Sequence, residues 1–119
     1  MQKQKLGRKY EQIVCDYLVE QGMEILDRNY AVSGGEIDII ARENGYICFV
    51  EVKFRSQRAI DAYICVGNIK QKRIIRTAER YMIESKSNLQ PRFDVAFAFV
   101  EDGEDVIEYI KNAYDASQR

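Results

Sequence analysis

The feature that most constrains this chain is a single dipeptide, Asn44-Gly45, inside the run GGEIDIIARENGYICFVEVKFR from Gly34 to Arg55. Asn-Gly between two β-rich runs is the strongest short hairpin signal, because a tight primed turn needs residues that tolerate positive φ. With a two-residue loop, Glu43 faces Tyr46 and every cross-strand pair sums to 89. Asp38 then lies opposite Glu51, and Glu36 opposite Lys53. Side chains alternate across a strand, so all four are expected on one face, with opposed Cβ atoms about 4.5–5.5 Å apart.

That register drives two carboxylates together at the end of a hairpin otherwise made of Ile, Val and Phe. Like charges placed opposite each other destabilise a sheet and raise one pKa. A hard divalent cation removes the conflict. Mg²⁺ (or Mn²⁺) takes oxygen ligands, often one or two carboxylates plus water and phosphate oxygens. Asp38 and Glu51 are therefore candidate metal ligands, with the Val52 carbonyl a third. An ammonium at Lys53 beside such a cation orients water and stabilises charge on a phosphate, and Glu36 is placed to hold it. The alternative is a set of ordinary ion pairs, Asp38–Lys53 and Glu36–Lys53. An E-x-K motif alone is weak. An Asp set opposite it by a tight turn within apolar strands is more specific.

Around the hairpin, helical spacing of Leu6, Tyr10, Ile13, Val14, Tyr17 and Leu18 predicts a helix over 5–21, stopped by Gly22. Residues 23–30 read as a strand, 36–42 and 46–54 as the hairpin, and 55–66 as a loop. Ile74, Ile75, Ala78, Tyr81 and Met82 predict a second helix from Asn68, its expected N-cap, to about Ser85. Pro91 precedes a strand, RFDVAFAFV, and an Asp102-Gly103 turn leads to a last strand, DVIEYI. The order α-β-β-β-α-β-β predicts an α/β fold, a mixed sheet of about five strands flanked by helices. Glu11 sits at the edge of the first helix's apolar face, in line with Val14 and Leu18, where a carboxylate reaches toward the sheet. The sequence alone favours a solvated boundary glutamate there.

The chain's 119 residues suggest one domain, 1–119. No apolar run approaches the ~18 residues that cross a bilayer. The basic N-terminus has no apolar segment behind it, so a cytoplasmic protein without a membrane partner is expected. There is no histidine, which excludes Ser-His-Asp hydrolases, H-E-x-x-H zinc enzymes and His-dependent nucleases. Cys15, Cys48 and Cys65 are few and widely spaced, and read as small buried hydrophobes. The net charge of −1 hides a bias. Arg8 and Lys9 belong to a basic start, and Lys70, Lys72, Arg73, Arg76 and Arg80 face Glu79 alone over residues 70–80. A polyanion is a candidate partner for these segments. Charge alone favours solvated helix faces.

The residues G-E-I-D-I-I, F-V-E-V-K-F-R, the basic helix and the R-F-D-V strand resemble the YraN family of small bacterial proteins. More broadly the chain resembles the PD-(D/E)XK nuclease superfamily, and within it the archaeal-type Holliday junction resolvases, from Gly7 to Ala113. The resemblance implies a restriction-endonuclease-like fold and metal-dependent phosphodiester hydrolysis. By motif, Asp38 and Glu51 match the metal-binding acids, Lys53 the catalytic lysine, and Glu11 the first-helix glutamate of resolvase-like members. Gln71 falls near a polar supporting position. It also implies a homodimer, for which the strand edge in the second half is available. Two departures stand out: SQRAIDAYICV, with Cys65 before Val66, replaces a small-residue segment, and the net charge is slightly acidic.

The expectation is thus a resolvase-like endonuclease acting on structured, branched DNA. Arg8, Lys9, Arg55, Lys70, Lys72, Arg73 and Arg76 would contact the nucleic acid, reading structure more than sequence. The rivals are a non-catalytic nucleic-acid-binding accessory protein that keeps the fold, and a plain structural or interaction domain.

Overall fold

A computed structural model describes residues 3–55 and 67–115. The expected loop over 55–66, its departure from the family pattern and Cys65 lie outside the described residues, except for Arg55. The observed elements are α1 (Lys3–Glu20), β1 (Glu24–Val32), β2 (Gly35–Glu43), β3 (Tyr46–Phe54), α2 (Asn68–Ser85), β4 (Gln90–Glu101) and β5 (Glu104–Tyr114). The α/β order is the expected one. Strands β4 and β5 run longer at both ends than their apolar runs, and Pro91 lies inside β4 rather than ahead of it. Gly67, extended at φ −67° and ψ 160°, is the N-cap of α2, and Asn68 is already helical; no side chain caps the turn.

The sheet has five strands in the order β1-β2-β3-β4-β5. All neighbours are antiparallel except β3 and β4, which run parallel from Tyr46↔Gln90 to Phe54↔Ala98. A parallel pair needs a crossover, and α2 is carried by it. The helices cover opposite faces. Ile74, Ile75 and Ala78 of α2 pack with Ile40, Ile47, Phe49, Phe93, Val95 and Phe97. Val14, Cys15 and Leu18 of α1 pack with Ile39, Ala41, Cys48, Val50 and Ala96. Cys15 and Cys48 are free and buried, as expected of small hydrophobes. Among the described residues, no helix is long and apolar enough to cross a membrane.

The hairpin register is the expected one, from Glu43↔Tyr46 through Ile40↔Phe49 to Ile39↔Val50, with Asn44 at φ 53°. The ladder ends there. Ile37 packs on the α2 side with Ile40, whereas Ile39 and Ala41 pack on the α1 side, so strict alternation fails between Ile37 and Ile39. In β1 the same break appears at Asn29, which takes φ 52°. Arg28 bonds Gln12 of α1 (Nη1 to Oε1, 2.8 Å), while Tyr30 packs on the α2-side cluster. Asn29 and Asp38 fall between the bonded pairs Arg28↔Ile39 and Tyr30↔Ile37. The two strands are therefore creased together, and Asp38 is at the crease.

Candidate active site

The crease gives Asp38 its geometry. Where the β2–β3 ladder stops, the carboxylate of Asp38 takes over: its Oδ2 accepts a 2.8 Å hydrogen bond from the Val52 N–H. Glu51 and Lys53 extend from β3 on the α2 side, continuing the row Ile47–Phe49 by alternation. Glu51 is buried, and its Oε1 lies 3.6 Å from the Lys53 ammonium and 2.5 Å from that of Lys70. Lys70 comes from the first turn of α2. Its approach to Glu51 is a contact between residues 19 positions apart, and no local pattern in the sequence announces it.

Burial, then the charge of Glu51, pushes the Asp38 carboxyl up to about 7, against the Val52 hydrogen bond; Glu11 adds to the shift and Lys70 offsets it. Burial and the neighbouring ammonium of Lys70 hold Lys53 below the usual lysine range. Burial also works against the charge of Lys70, but its hydrogen bond to Glu51 outweighs this and holds it above that range. Burial raises Glu11; the nearby Asn29 amide and the charge of Arg28 work against the shift, and the charges of Glu36 and Glu51 add to it.

Asp38, Glu51 and Lys53 are brought together, and Glu11 is half-buried and electrostatically coupled to both acids. Glu36 is not where strict alternation puts it. It pairs with Ala31 in β1, is exposed, lines the same cleft as Asp38 and Glu51, and acts on Glu11 rather than standing opposite Lys53. The crease at Asp38 is the reason. Gln71 is buried on α2, one residue from Lys70. Among the described residues, no group of three or more carboxylate or thiol side chains is clustered closely enough to hold a metal ion alone. The donor chemistry still suits a hard cation: two oxygen acids, Glu51 deeply buried and Asp38 made more basic by burial first and by the charge of Glu51 second. Completing the shell needs backbone, water or substrate oxygens, and the Val52 carbonyl is the candidate of the first kind.

The site opens into a cleft of about 1420 Å³ lined by Gly34, Gly35, Asp38, Glu51, Lys70 and Arg73, among others. Gly35 brings β2 and α2 into close approach: a Cβ there would fall 2.1 Å from Thr77 Oγ1 and 3.3 Å from the Arg73 carbonyl. Beyond it, Arg73, Arg76 and Arg80 line a smaller depression with Ser33 and Gly34. Lys72 is exposed on the same helix. Arg8 and Lys9 are exposed on α1, and the Lys9 ammonium lies 5.3 Å from the Tyr10 ring centre. Tyr10 stacks on Phe54 at 4.6 Å, which sets that end of α1 beside the strand end carrying Lys53. Arg55 follows directly, its N–H bonded to the Ala98 carbonyl.

The profile of Uncharacterised protein family UPF0102 matches residues 10–98. The chain belongs to the UPF0102 family. A UPF0102 protein of Syntrophotalea carbinolica is 42% identical over 118 residues, covering 96% of this chain and 94% of its own. One of Lachnoclostridium phytofermentans is 42% identical over 125 residues, covering 98% of each. One of Vibrio parahaemolyticus is 37% identical over 114 residues, covering 93% of each. The UPF0102 match includes Glu11, Asp38, Glu51, Lys53 and the whole of α2.

Proposed function

We propose that this UPF0102 protein is a metal-dependent endonuclease of the PD-(D/E)XK type, with a restriction-endonuclease-like fold, acting on branched DNA in the cytoplasm. The observation that carries the reading is that Asp38, bonded to the Val52 N–H at the strand crease, shares one cleft with buried Glu51, whose carboxylate lies 3.6 Å from the Lys53 ammonium. Asp38, Glu51 and the Val52 carbonyl would hold Mg²⁺ or Mn²⁺, with Glu11 behind them. Bound there, the ion supplies Lewis-acid activation of water and neutralisation of phosphate charge. Lys53 orients the attacking water and hydrogen-bonds the phosphate oxygens as charge builds on them. Its burial favours proton exchange nearer neutrality than for a free lysine. Water oxygen bonds to phosphorus, one P–O ester bond breaks, and the departing oxygen takes up a proton. Lys70, Lys72, Arg73 and Arg76 on one side, and Arg8, Lys9 and Arg55 on the other, contact backbone phosphates. A homodimer paired through the β5 edge would present two such sites to a junction.

A second reading, a nucleic-acid-binding accessory protein without turnover, draws support from Lys70, which gives Glu51 a structural cation partner. The deciding experiment incubates the protein with labelled four-way junction, flap, single-stranded, duplex and RNA substrates in Mg²⁺, Mn²⁺ or EDTA, beside Asp38→Asn and Lys53→Ala. Metal-dependent cutting lost in both variants is the expected result. Salt-sensitive binding of the junction by all three proteins, with no cutting, would replace the nuclease reading with the accessory one.

A further inference from the structure

Glu51 Oε1 receives two ammonium groups, Lys70 at 2.5 Å and Lys53 at 3.6 Å. Two cations on one oxygen repel each other, and a divalent ion on the same carboxylate would add a third positive centre. Like charges a few ångströms apart in a partly buried site oppose one another, so the ion's arrival weakens the hold of Glu51 on its ammonium partners. The one less firmly held is the one that gives way. Lys53 is anchored: it lies two residues from Glu51 in a central strand, bridged to Phe97 of β4, and its side chain is 16% exposed. Lys70 projects from the first turn of α2, its side chain is 46% exposed, and it lines the cleft beside Arg73. Its long stem can swing to another partner at little cost.

We propose that Lys70 competes with the divalent cation for Glu51 and is the group that yields, leaving as the ion enters and turning to a phosphate oxygen of the nucleic acid in the cleft. This rests on the reading of Asp38 and Glu51 as metal-binding acids. Lys70 is then a positioning residue that couples metal entry to substrate binding. A polyanion gives the displaced ammonium a new partner and so favours the ion's entry. Without one, the same ammonium opposes metal binding.

The test is Mn²⁺ binding to the full chain, followed as loss of the free-ion electron paramagnetic resonance signal, for wild type, Lys70→Gln, Lys70→Arg, Arg42→Gln and Asp38→Asn. Arg42 is exposed near the hairpin turn and controls for the loss of one positive charge. Circular dichroism checks that each variant is folded. Lys70→Gln is expected to bind Mn²⁺ about 5- to 10-fold more tightly than wild type, the size of an ordinary coupling between sites. Lys70→Arg and Arg42→Gln are expected within about twofold of wild type, and Asp38→Asn should lose the site. Lys70→Gln binding no more tightly than Arg42→Gln, with the site still lost in Asp38→Asn, overturns the competition while leaving the metal reading intact. Lys70→Arg tightening as much as Lys70→Gln also overturns it, since charge would not be the cause. No saturable binding by wild type or Lys70→Gln removes the metal reading and this inference with it.

Discussion

The carboxylate of Asp38 accepts the Val52 N–H at 2.8 Å, where the β2–β3 ladder has ended. The side chain thus does the work of a missing backbone carbonyl, at a place where its own charge is disfavoured. Its carboxyl is raised from 3.8 to about 7 by burial first and by Glu51 second. A raised acid binds more protons folded than unfolded between those two values, so stability falls as pH rises from about 4 to 7 and the loss is complete above that. Asp38→Asn keeps an oxygen for the Val52 N–H and cannot ionise. In EDTA it should therefore gain stability relative to wild type by on the order of 2 kcal/mol between pH 5 and pH 8. Urea midpoints at the two pH values check this. A stability difference independent of pH would mean that Asp38 is not held near neutrality.

The Asn44-Gly45 turn made the hairpin legible, because turn length sets register and register sets faces. The nearness of Asp38 to Glu51 follows from it, although the ladder stops one pair short, at Ile39↔Val50, and Asp38 bonds the Val52 N–H instead. The crease did not: asparagine tolerates positive φ, but Asn29 stands inside a run, 23–30, that reads as one strand and has no glycine beside it to mark a break. Glu36 was misplaced for that reason. Lys70 on Glu51 and the buried Asp94 network are tertiary contacts, which periodicity does not report. Gly67 displaced Asn68 as N-cap because a glycine in extended conformation serves that position almost as well as a side-chain oxygen.

Gly35 fixes how closely α2 lies over β2. Gly35→Ala sets a methyl 2.1 Å from Thr77 Oγ1, which is itself bonded to the Arg73 carbonyl at 2.8 Å. Overpacking of this kind costs about 1–3 kcal/mol. Thr77→Ala removes the oxygen but leaves the Arg73 carbonyl 3.3 Å away, so the double variant should recover only part of the loss. A double-mutant cycle from denaturant unfolding measures the coupling; additive effects would place the strain elsewhere.

Asp94 is fully buried on β4 and takes hydrogen bonds from Arg92 Nε and Nη2, from the Tyr109 hydroxyl at 2.6 Å and from the Asn112 N–H at 2.9 Å. Arg92 also reaches Glu43. Removing one member of a buried pair leaves the other uncompensated, so Asp94→Ala should destabilise by about 3–5 kcal/mol. Tyr109→Phe removes one donor and should cost about 1–2 kcal/mol. Thermal unfolding checks both, and near-equal losses would contradict the central place given to Asp94.

Arg73 and Arg76 are exposed on α2 and line the depression next to the cleft, one helical step apart. If both meet phosphates, each releases counterions on binding, and the logarithm of affinity falls with the logarithm of salt by about 0.9 per duplex phosphate neutralised. The double variant Arg73→Gln/Arg76→Gln should then lower the slope for a four-way junction by nearly 2. It should weaken binding about equally for junctions of different sequence, because phosphate contacts carry no base information. The fold is expected to hold, since neither guanidinium is buried. Fluorescence anisotropy across a salt series reads slope and affinity together. An unchanged slope would return these arginines to a solvated helix face.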